Sequence, residues 1–582
     1  MQASLHQRKL LSASGRMLSV VLFATALIPI VERVFAQNIA TNKQTPTRPL
    51  QSRWEVDPNT GVLWGIPFGR GPRRIDLEAI LSEDMEQSVA RMQQIVLDAK
   101  FGFQNRSEAL EVVLQQLDSW MQGQIPRPAR LAALSAATTL TEGLDEAESV
   151  WSKVETDSML SRAAEPTLVK WKSKVALQRW RERLKSKSGD LTDQLTAIDG
   201  IGATGDSTDK VVLENILFGN GTPLPIRLAS AKALGNVISE GLEASAFDIR
   251  ENSGLGDLLA ANILAKHRSP NATSIAESIL SGKSKPARLV AFRIIAAADQ
   301  ERGLTLAADL IEDPQAEIRR AALGTLQQSD TIKHVNRQAI AMSDSIPSIR
   351  EQARLQLEEK SQNPGLRETV DEIVSHHLKS DRWEGIEQAI RLCLFLNDSS
   401  RVDSLLQFLD HPRPEVRLWA SWAMQELDQT PESLDSILKY CQSFTERIRR
   451  EDPLTFPQVL AASFLFEALG VNRYKTASGM FELYVPKNDQ KMRTITRTSA
   501  VYALGLIWEQ EKNAKLAAAL VKRLTDDGLN PEADTVRYAS AISISRIGTV
   551  DLINDFSEVV GEPTEIGVAA EWAAEHLKKA AK

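Results

Sequence analysis

The stretch PEVRLWASWAMQEL, Pro414–Leu427, decides the fold because it carries a helical pattern that the chain repeats. Its apolar positions Val416, Ala420 and Met424 recur at the spacing that places side chains on one face of an α-helix. Arg417 stands in the first turn, where the positive end of the helix dipole disfavours a cation. The fold must therefore supply a partner that compensates this arginine.

The same phrase recurs along the chain, aligned on an arginine. A small residue follows three positions later, and an apolar residue follows seven positions later. Arg288, Arg319 and Arg350 are 31 positions apart, and later units lengthen to about 40 residues. Self-similarity at this period predicts stacked supersecondary units. The repeat arginines are Arg227, Arg288, Arg319, Arg350, Arg417, Arg497 and Arg537.

Each unit is predicted to be a pair of helices. Proline is tolerated in a first helical turn, and residues such as Pro314 mark the start of the first helix. Aspartates eleven positions after the arginine can cap the second helix, and these are Asp299, Asp330 and Asp428. The pattern predicts an all-α fold, a right-handed α-solenoid of stacked helix pairs over residues 126–582.

The turn D-P-x-x-x-[VI]-R and the helix A-x-x-A-L-G resemble the HEAT-repeat family, especially its short bacterial variety related to bilin-lyase-type repeats. The resemblance covers roughly residues 126–582. It implies a helical solenoid that serves as a scaffold or binding surface, although some relatives are lyases or carry enzymes as fusions.

The recurring arginines have two interpretations. The structural one is a ladder in which each arginine binds helix-end carbonyls and carboxylates of the preceding turns. Such carboxylates are Asp313 before Arg319 and Asp410 before Arg417, and the capping aspartates of adjacent units could also be reached once units stack. The functional alternative is a row of anion-binding sites.

Residues 1–36 are typical of an export signal peptide. Basic residues such as Arg8 and Arg16 precede the apolar core Leu18–Val31, and Ala36 completes a cleavage site of small residues. The core is short for a membrane span, although an uncleaved anchor stays an alternative. We expect a mature protein without a membrane span, exported to a bacterial periplasm, the cell surface or the medium.

Residues 37–53 are polar and rich in threonine and proline, which predicts a disordered linker. A β-hairpin is predicted next, with Trp54 and Val56 facing Val62 and Trp64 across a DPNTG turn.

Helices are predicted at 76–100 and 105–122, and with the hairpin they would form a cap over residues 54–125 that covers the open end of the solenoid. The alternative for this region is an aromatic platform whose arginines grip an anion. Those arginines are Arg70, Arg73 and Arg74.

Residues 170–187 form the most basic run, with Trp171 and Trp180 interleaved. It is either a solvated helix face over a buried apolar stripe or a contact for an acidic polymer, lipid headgroups or an acidic protein. The candidate contacts are Lys170, Lys172, Lys174, Arg179 and Arg183.

Charge and motifs restrict the function. The net charge of −7 and the pI of about 5.8 argue against a general nucleic-acid binder. The sequence has no Walker A, GxSxG or HExxH motif, so we expect no cofactor and no metal. Cys393 and Cys441 each fit an apolar helical face, which favours buried thiols but leaves a disulfide open.

Bulky residues gather on one face of the later units, five positions after the arginine, with Trp419 two positions after it. They either fill a tight seam between units or form an apolar ridge for a partner. The candidates are Trp419, Trp422, Tyr502, Ile542 and Leu355.

The sequence therefore favours an exported, non-enzymatic protein-interaction scaffold. An enzyme or regulatory subunit, with a site in the N-terminal segment or in a concave groove, is the first alternative. A protein that binds a cell-envelope polymer is the second.

Overall fold

The computed structural model describes residues 54–56, 63–65, 75–99, 103–123, 125–141, 144–252, 254–487, 492–509, 511–562 and 564–581. The predicted signal peptide with its cleavage site at Ala36, the predicted linker at 37–53 and the arginines at 70, 73 and 74 lie outside these residues.

The chain divides into two compact units, which we call the central unit (Gly69–Ala341) and the C-terminal unit (Met342–Lys582 together with Met1–Phe68). The helices of the central unit are α1 (Leu77–Ile80), α2 (Met85–Asp98), α3 (Arg106–Gln122), α4 (Arg127–Leu140), α5 (Leu144–Val154), α6 (Ser158–Trp171), α7 (Leu177–Ser186), α8 (Leu191–Thr204), α9 (Lys210–Leu217), α10 (Leu224–Val237), α11 (Glu243–Asn252), α12 (Gly256–Ile263), α13 (Pro270–Leu280), α14 (Lys285–Ala298), α15 (Gln300–Leu310), α16 (Ala316–Leu326) and α17 (Ile332–Ile340).

The C-terminal unit combines a short β-hairpin with a further helical array. Its elements are β1 (Trp54–Val56), β2 (Leu63–Gly65), α18 (Pro347–Lys360), α19 (Pro364–Leu378), α20 (Trp383–Leu396), α21 (Val402–Leu406), α22 (Pro414–Glu426), α23 (Pro431–Arg449), α24 (Phe456–Val471), α25 (Ser478–Glu482), α26 (Thr494–Ile507), α27 (Ala514–Leu524), α28 (Asp534–Ile547) and α29 (Glu565–Ala580).

Within each unit, alternate helices form two rows. The first row holds the even-numbered helices α2 to α16 of the central unit, and α18 to α28 with α29 in the C-terminal unit. Neighbours within the first row pack closely, and each second-row helix packs beside a first-row helix. This stacking of helix pairs confirms the prediction of an all-α solenoid, while its right-handed sense stays a prediction.

The apolar stripe of the opening stretch forms the core at α22. Val416, Ala420 and Met424 are fully buried. Burying a valine or methionine side chain stabilises a fold by about 1.5–3 kcal/mol. Pro414 stands at the first position of the helix, where its missing N–H leaves no hydrogen bond unmade.

Glycines late in the first-row helices let neighbouring backbones approach. A Cβ atom on Gly505 of α26 would lie 2.8 Å from the Cα atom of Ser543 in α28. One on Gly235 of α10 would collide with the carbonyl oxygen of Asn262 in α12. The glycine of the A-x-x-A-L-G phrase is thus a packing requirement between units.

Caps were predicted for three second-row helices, and in two of them a different residue caps the helix. Asp299 caps α15 as predicted, whereas Thr331 caps α17 and Thr430 caps α23. Asp330 and Asp428 lie one and two positions too early, because the cap must directly precede the first helical residue.

The N-terminal elements are distributed between the two units. Strands β1 and β2 pair antiparallel, with Glu55 opposite Trp64. This register is one position away from the predicted one, which set Trp54 and Val56 against Val62 and Trp64. Strand β1 contacts α29 of the C-terminal unit, whereas residues 75–125 belong to the central unit.

The helix predicted at 76–100 is broken into α1 and α2. Asp84 interrupts it and caps α2, accepting a hydrogen bond of 2.9 Å from the backbone N–H of Glu86. The helix predicted at 105–122 is present as α3. Among the described residues, no helix has both the length and the apolar character needed to cross a bilayer.

The two cysteines are separate buried thiols, Cys393 in α20 and Cys441 in α23. Burial raises the pKa of the Cys393 thiol to about 12, and burial also raises the pKa of Cys441. Of the two alternatives left open by the sequence, the structure has the free thiols.

Replacing Gly505 by alanine should destabilise the protein by about 1–3 kcal/mol, because the added Cβ meets the backbone of Ser543. The measurement is the midpoint of thermal unfolding. Gly324 is the matched control, since it is also the third residue from the end of a first-row helix. A Cβ there has no described neighbour within 4 Å, so Gly324→Ala should stabilise by up to about 1 kcal/mol. Equal losses at both positions would contradict the close approach of α26 and α28.

Candidate functional site

The repeat arginines reach back toward the preceding helix. Four of these guanidinium groups donate to a carbonyl oxygen at or within two residues of that helix's C-terminal end, where the negative end of the dipole favours a cation. The other three, Arg319, Arg350 and Arg417, donate to carbonyls of the turn that precedes their own helix. The bonds are Arg227 to Leu217 (3.1 Å), Arg288 to Leu280 (2.9 Å), Arg319 to Asp313 (2.9 Å), Arg350 to Asp344 (3.5 Å), Arg417 to Pro412 (3.2 Å), Arg497 to Tyr484 (3.1 Å) and Arg537 to Leu524 (2.8 Å).

Several of these arginines also pair with a carboxylate of the following unit. Arg288 lies 2.6 Å from Asp313, and Arg497 makes two bonds of 2.7 Å to the buried Glu532. Asp313 pairs through its carboxylate with Arg288 of the preceding unit and accepts from Arg319 through its carbonyl oxygen, whereas the sequence had suggested its carboxylate for Arg319.

Arg417 likewise binds backbone oxygens, those of His411 and Pro412, where the sequence suggested Asp410. These two carbonyls are closer in sequence to the helix start than Asp410 is. Arg350, Arg497 and Arg537 are buried, so these three do not line an exposed anion-binding row.

The basic run at 170–187 is split between α6 and α7, and Lys172 takes a left-handed conformation (φ 56°) that ends α6. Arg183 is buried and lies 2.6 Å from the buried Glu165. The hydrogen bond between them raises the pKa of Arg183. Arg179 donates to the carbonyl of Glu155 at 2.7 Å. Two of the five candidate contacts are thus engaged within the chain.

The remaining candidates of this run, Lys170, Lys172 and Lys174, are exposed. Trp180 is fully buried and donates its indole N–H to Glu165 at 3.2 Å. The run therefore does not present all its cations on one continuous helical face.

The aromatic candidates on α22 lie at the surface of the first row. Trp419 and Trp422 are both half-buried, with ring centroids 4.7 Å apart. The guanidinium carbon of Arg391 in α20 lies 4.6 Å from the Trp419 centroid. Trp422 donates its indole N–H to Glu426 at 3.3 Å. Both rings are held in place by their neighbours yet keep part of their surface accessible.

The other three aromatic-face candidates separate by exposure. Ile542 of α28 is 1% exposed, so it fills the seam between helices and is unavailable to a partner. Leu355 is half-buried, as is Tyr502, whose ring lies 4.8 Å from the guanidinium carbon of Arg546.

Phe395 of α20 is a surface aromatic residue that the sequence analysis missed. It is 48% exposed and lies one helical turn beyond Arg391. Its unit has Ile386 where the others have an arginine, so the repeat pattern was weak there. Phe395 lies nine positions after Ile386, just as Glu426 lies nine positions after Arg417. Aligning this unit on Ile386 would therefore have placed Phe395 at the same surface position as Glu426.

A buried charged cluster lies beside this aromatic surface, between α18 and α20. Arg354 donates to Gln388 at 3.2 Å, while Arg391 lies 3.6 Å from Glu351 and 3.7 Å from Glu387. Burial lowers the pKa of Arg354 to about 9, with the nearby Arg391 adding to the effect, and burial raises the pKa of Glu387. Ionisable groups whose pKa is shifted by burial and by neighbouring charges are concentrated at functional sites.

A second polar network joins the next helices of the row. The carboxylate of Glu467 in α24 accepts from Gln425 of α22 and from Ser499 of α26, each at 2.9 Å. Thr498 of α26 and Thr535, in the first turn of α28, lie 2.9 Å apart through their hydroxyls. Specific side-chain bonds thus fix the register of α22 against the helices that follow it.

In the part of the chain that the structure describes, no group of three or more His, Cys, Asp or Glu side chains is placed to hold a metal ion. The exposed and half-buried aromatic side chains described above define the candidate site, the surface of α18, α20 and α22 that we call the aromatic face. It is defined by Leu355, Arg391, Phe395, Trp419, Trp422 and Glu426.

No protein-family model matches the chain, and no curated protein matches it. The helix contacts themselves show a solenoid of stacked helix pairs in each unit. One similar solved structure is importin beta in an ammonium sulfate condition, with 12% identity, coverage of 86% of this chain and 72% of that one, and a TM-score of 0.42. A second is yeast importin beta, Kap95p, with 14% identity, coverage of 86% of this chain and 72% of that one, and a TM-score of 0.39. A third is karyopherin Kap121p bound to the extreme C-terminus of the protein phosphatase Cdc14p, with 13% identity, coverage of 86% of this chain and 52% of that one, and a TM-score of 0.37.

This chain spans about half the length of Kap121p. At these identities and TM-scores the likeness says nothing about what the chain binds, and the fold rests on the helix contacts described above.

Replacing Arg497 by glutamine should lower the free energy of unfolding by about 3 kcal/mol, since the buried Glu532 loses its bidentate partner. It keeps Arg523 at 3.3 Å and the backbone N–H of Ala533 at 2.9 Å. Urea denaturation measures the change. Arg417→Gln is the control, because it removes bonds to neutral carbonyls alone and should cost about 1 kcal/mol. Losses of the same size would show that the carboxylate pair is not the stronger link.

The Arg497 effect should depend on pH. Burial opposes ionisation of Glu532, but hydrogen bonds from Arg497 and from the Ala533 amide outweigh it, so the pKa of Glu532 lies below its ordinary 4.5. A lowered pKa contributes stability above the unfolded value, and that contribution is lost as pH falls through the folded value. The difference between the natural protein and Arg497→Gln should therefore shrink below about pH 4. A difference unchanged from neutral pH would contradict this assignment.

Proposed function

We propose that this protein is a non-enzymatic scaffold that binds partner proteins on the aromatic face of its C-terminal unit. The observation that carries the proposal is the half-buried pair Trp419–Trp422 on α22 together with the exposed Phe395 on the neighbouring helix α20. Aromatic side chains dominate the few contacts that supply most of the binding energy in protein interfaces.

The rigidity of the face supports this function. Arg391 stacks on Trp419, and Glu426 holds the indole of Trp422, so both rings are positioned before a partner arrives. Ordering a side chain on binding costs about 0.5–1.5 kcal/mol, and a surface that is already ordered avoids much of that cost.

We further propose that the protein is exported by a bacterium to the periplasm, the cell surface or the medium, as a protein related to the short bacterial HEAT-like repeats. Support comes from the basic start, short apolar core and small residues of segment 1–36. We expect protein partners, no nucleic acid, no cofactor and no membrane span after cleavage at Ala36. The acidic net charge of −7 supports the exclusion of nucleic acid.

The mature protein should begin at Gln37, which mass spectrometry of the N-terminal peptide from fractionated cells can establish. Ala36→Lys should block cleavage, since the cleaving enzyme requires a small residue there. Cytosolic protein that keeps residues 1–36 would contradict export, and a membrane-held, uncleaved form would support the anchor instead.

A photo-crosslinking residue at position 395 tests the docking surface. Phe395→p-benzoylphenylalanine should capture a partner protein in the native compartment. The same substitution at Phe247, an exposed phenylalanine of α11 in the central unit, should not. Trp422→Ser should reduce the crosslink at 395, because it removes an anchor from the face. Equal capture at both positions, or turnover of a substrate by the purified protein with no crosslink at 395, would overturn the proposal.

A further inference from the structure

We infer that the partner segment carries a large apolar side chain next to a lysine or arginine, received at the C-terminal ends of α18, α20 and α22. This inference rests on the proposed docking function and adds the chemistry of the partner. Three features carry it: the height of the side chains along the axes of the three helices, the burial of the charged side chains, and the direction of the helix dipoles.

The aromatic and acidic side chains lie at one level of the row. Arg391 over Trp419 sets α20 against α22, so Phe395, about 6 Å further along α20, lies within a turn of Trp422, about 4.5 Å beyond Trp419. The bond between Arg354 and Gln388 sets α18 against α20.

The same measure places the carboxylate of α18 beside Phe395. Along the helix axes, Glu359 lies about 7 Å beyond Arg354, and Phe395 lies about 10 Å beyond Gln388. Because Arg354 and Gln388 are bonded, the heights of Glu359 and Phe395 differ by less than one helical turn. Phe395 is thus flanked by Glu359 of α18 on one side and by Trp422 and Glu426 of α22 on the other.

The nearest arginines on α18 and α20 lie about one helical turn before this level and are buried, whereas the carboxylates at this level are at the surface. The side chains of Arg354 and Arg391 are each 9% exposed, whereas Glu359 is exposed and Glu426 is half-buried. Lys360, at the end of α18, is buried. A partner approaching Phe395 therefore meets carboxylates.

The exposed bases of this region lie at the other end of the helices. Arg382 and Arg413 directly precede the first residues of α20 and α22, about 20 Å from Glu426 along the axis of α22. Arg350, in the first turn of α18, is buried, while Glu384 and Glu415 accompany the two exposed arginines. The two ends of the aromatic face consequently differ in charge.

The helix dipoles favour a cation at the same place. First-row helices run parallel, because one antiparallel second-row helix separates each from the next, so the C-terminal ends of α18, α20 and α22 lie together. Those ends carry partial negative charge. A lysine or arginine can lie over the ring of Trp422 near Glu426, while an apolar neighbour packs on Phe395.

Binding of short fluorescein-labelled peptides to the full chain tests this chemistry by fluorescence anisotropy. One peptide has a Leu-Phe centre flanked by lysines, a second replaces the lysines by glutamates, and a third keeps the lysines around a Ser-Ser centre. The first should bind about tenfold more tightly than either of the others. Its affinity should fall between about 50 mM and about 300 mM salt, because surface charges contribute.

Variants locate the binding. The double variant Glu359→Lys with Glu426→Lys should weaken the first peptide by about tenfold, and Phe395→Ser should do the same. Glu372→Lys on the second-row helix α19 and Phe247→Ser on α11 are matched controls, as both residues are exposed outside the face. Both controls should leave the affinity unchanged, and thermal unfolding checks that each variant is folded.

The possible outcomes separate the chemistry from the docking function. Equal or tighter binding of the glutamate peptide, binding of none of the three, or no effect of the Glu359 and Glu426 reversal would overturn the inference. If position 395 still crosslinks a partner in those cases, the docking surface stands with a different partner chemistry. Absence of both peptide binding and crosslinking would remove the docking function as well.

Discussion

The fold depends on an arginine that links the start of one helix to the end of the helix before it. A cation in the first turn is disfavoured by its own helix, yet the guanidinium of Arg537 reaches the carbonyl of Leu524 at the C-terminal end of α27. Its charge therefore lies between opposite ends of two dipoles. Arg227, Arg288 and Arg497 make the same bond, which fixes how a first-row helix follows the second-row helix before it, while Arg319, Arg350 and Arg417 bind the connecting turn instead.

Close packing within the first row follows from that placement. With each helix start fixed, small residues such as Ala500 and Gly505 let the next helix approach, and apolar side chains such as Met424 fill the core. One side of the described first-row helices α18, α20 and α22 is only partly covered by the rest of the chain. That side can vary from unit to unit without disturbing the core, and in the C-terminal unit it carries Trp419 and Trp422.

Periodicity predicted what depends on each unit alone, and it failed where neighbouring units decide. The helix pairs and the buried stripe follow from local spacing. The burial of Ile542 and Arg183 depends on side chains from other elements, which a repeat pattern does not contain. Phe395 was missed because its unit lacks the arginine that anchors the alignment. Caps moved to Thr331 and Thr430 because helix starts shift by one or two positions between units.

The buried charges beside the aromatic face argue for a role beyond stability. Apolar residues of similar volume would serve a core at least as well as Arg354, Glu387 and Arg391, since desolvation of ions offsets much of their attraction. What a guanidinium adds is a flat cation that can stack on an indole while its edges are held by carboxylates. Arg391 does this beneath Trp419, with Glu351 and Glu387 at its edges. The charged cluster is then the support that keeps an accessible aromatic surface in one orientation, which is what the proposed docking function requires of it.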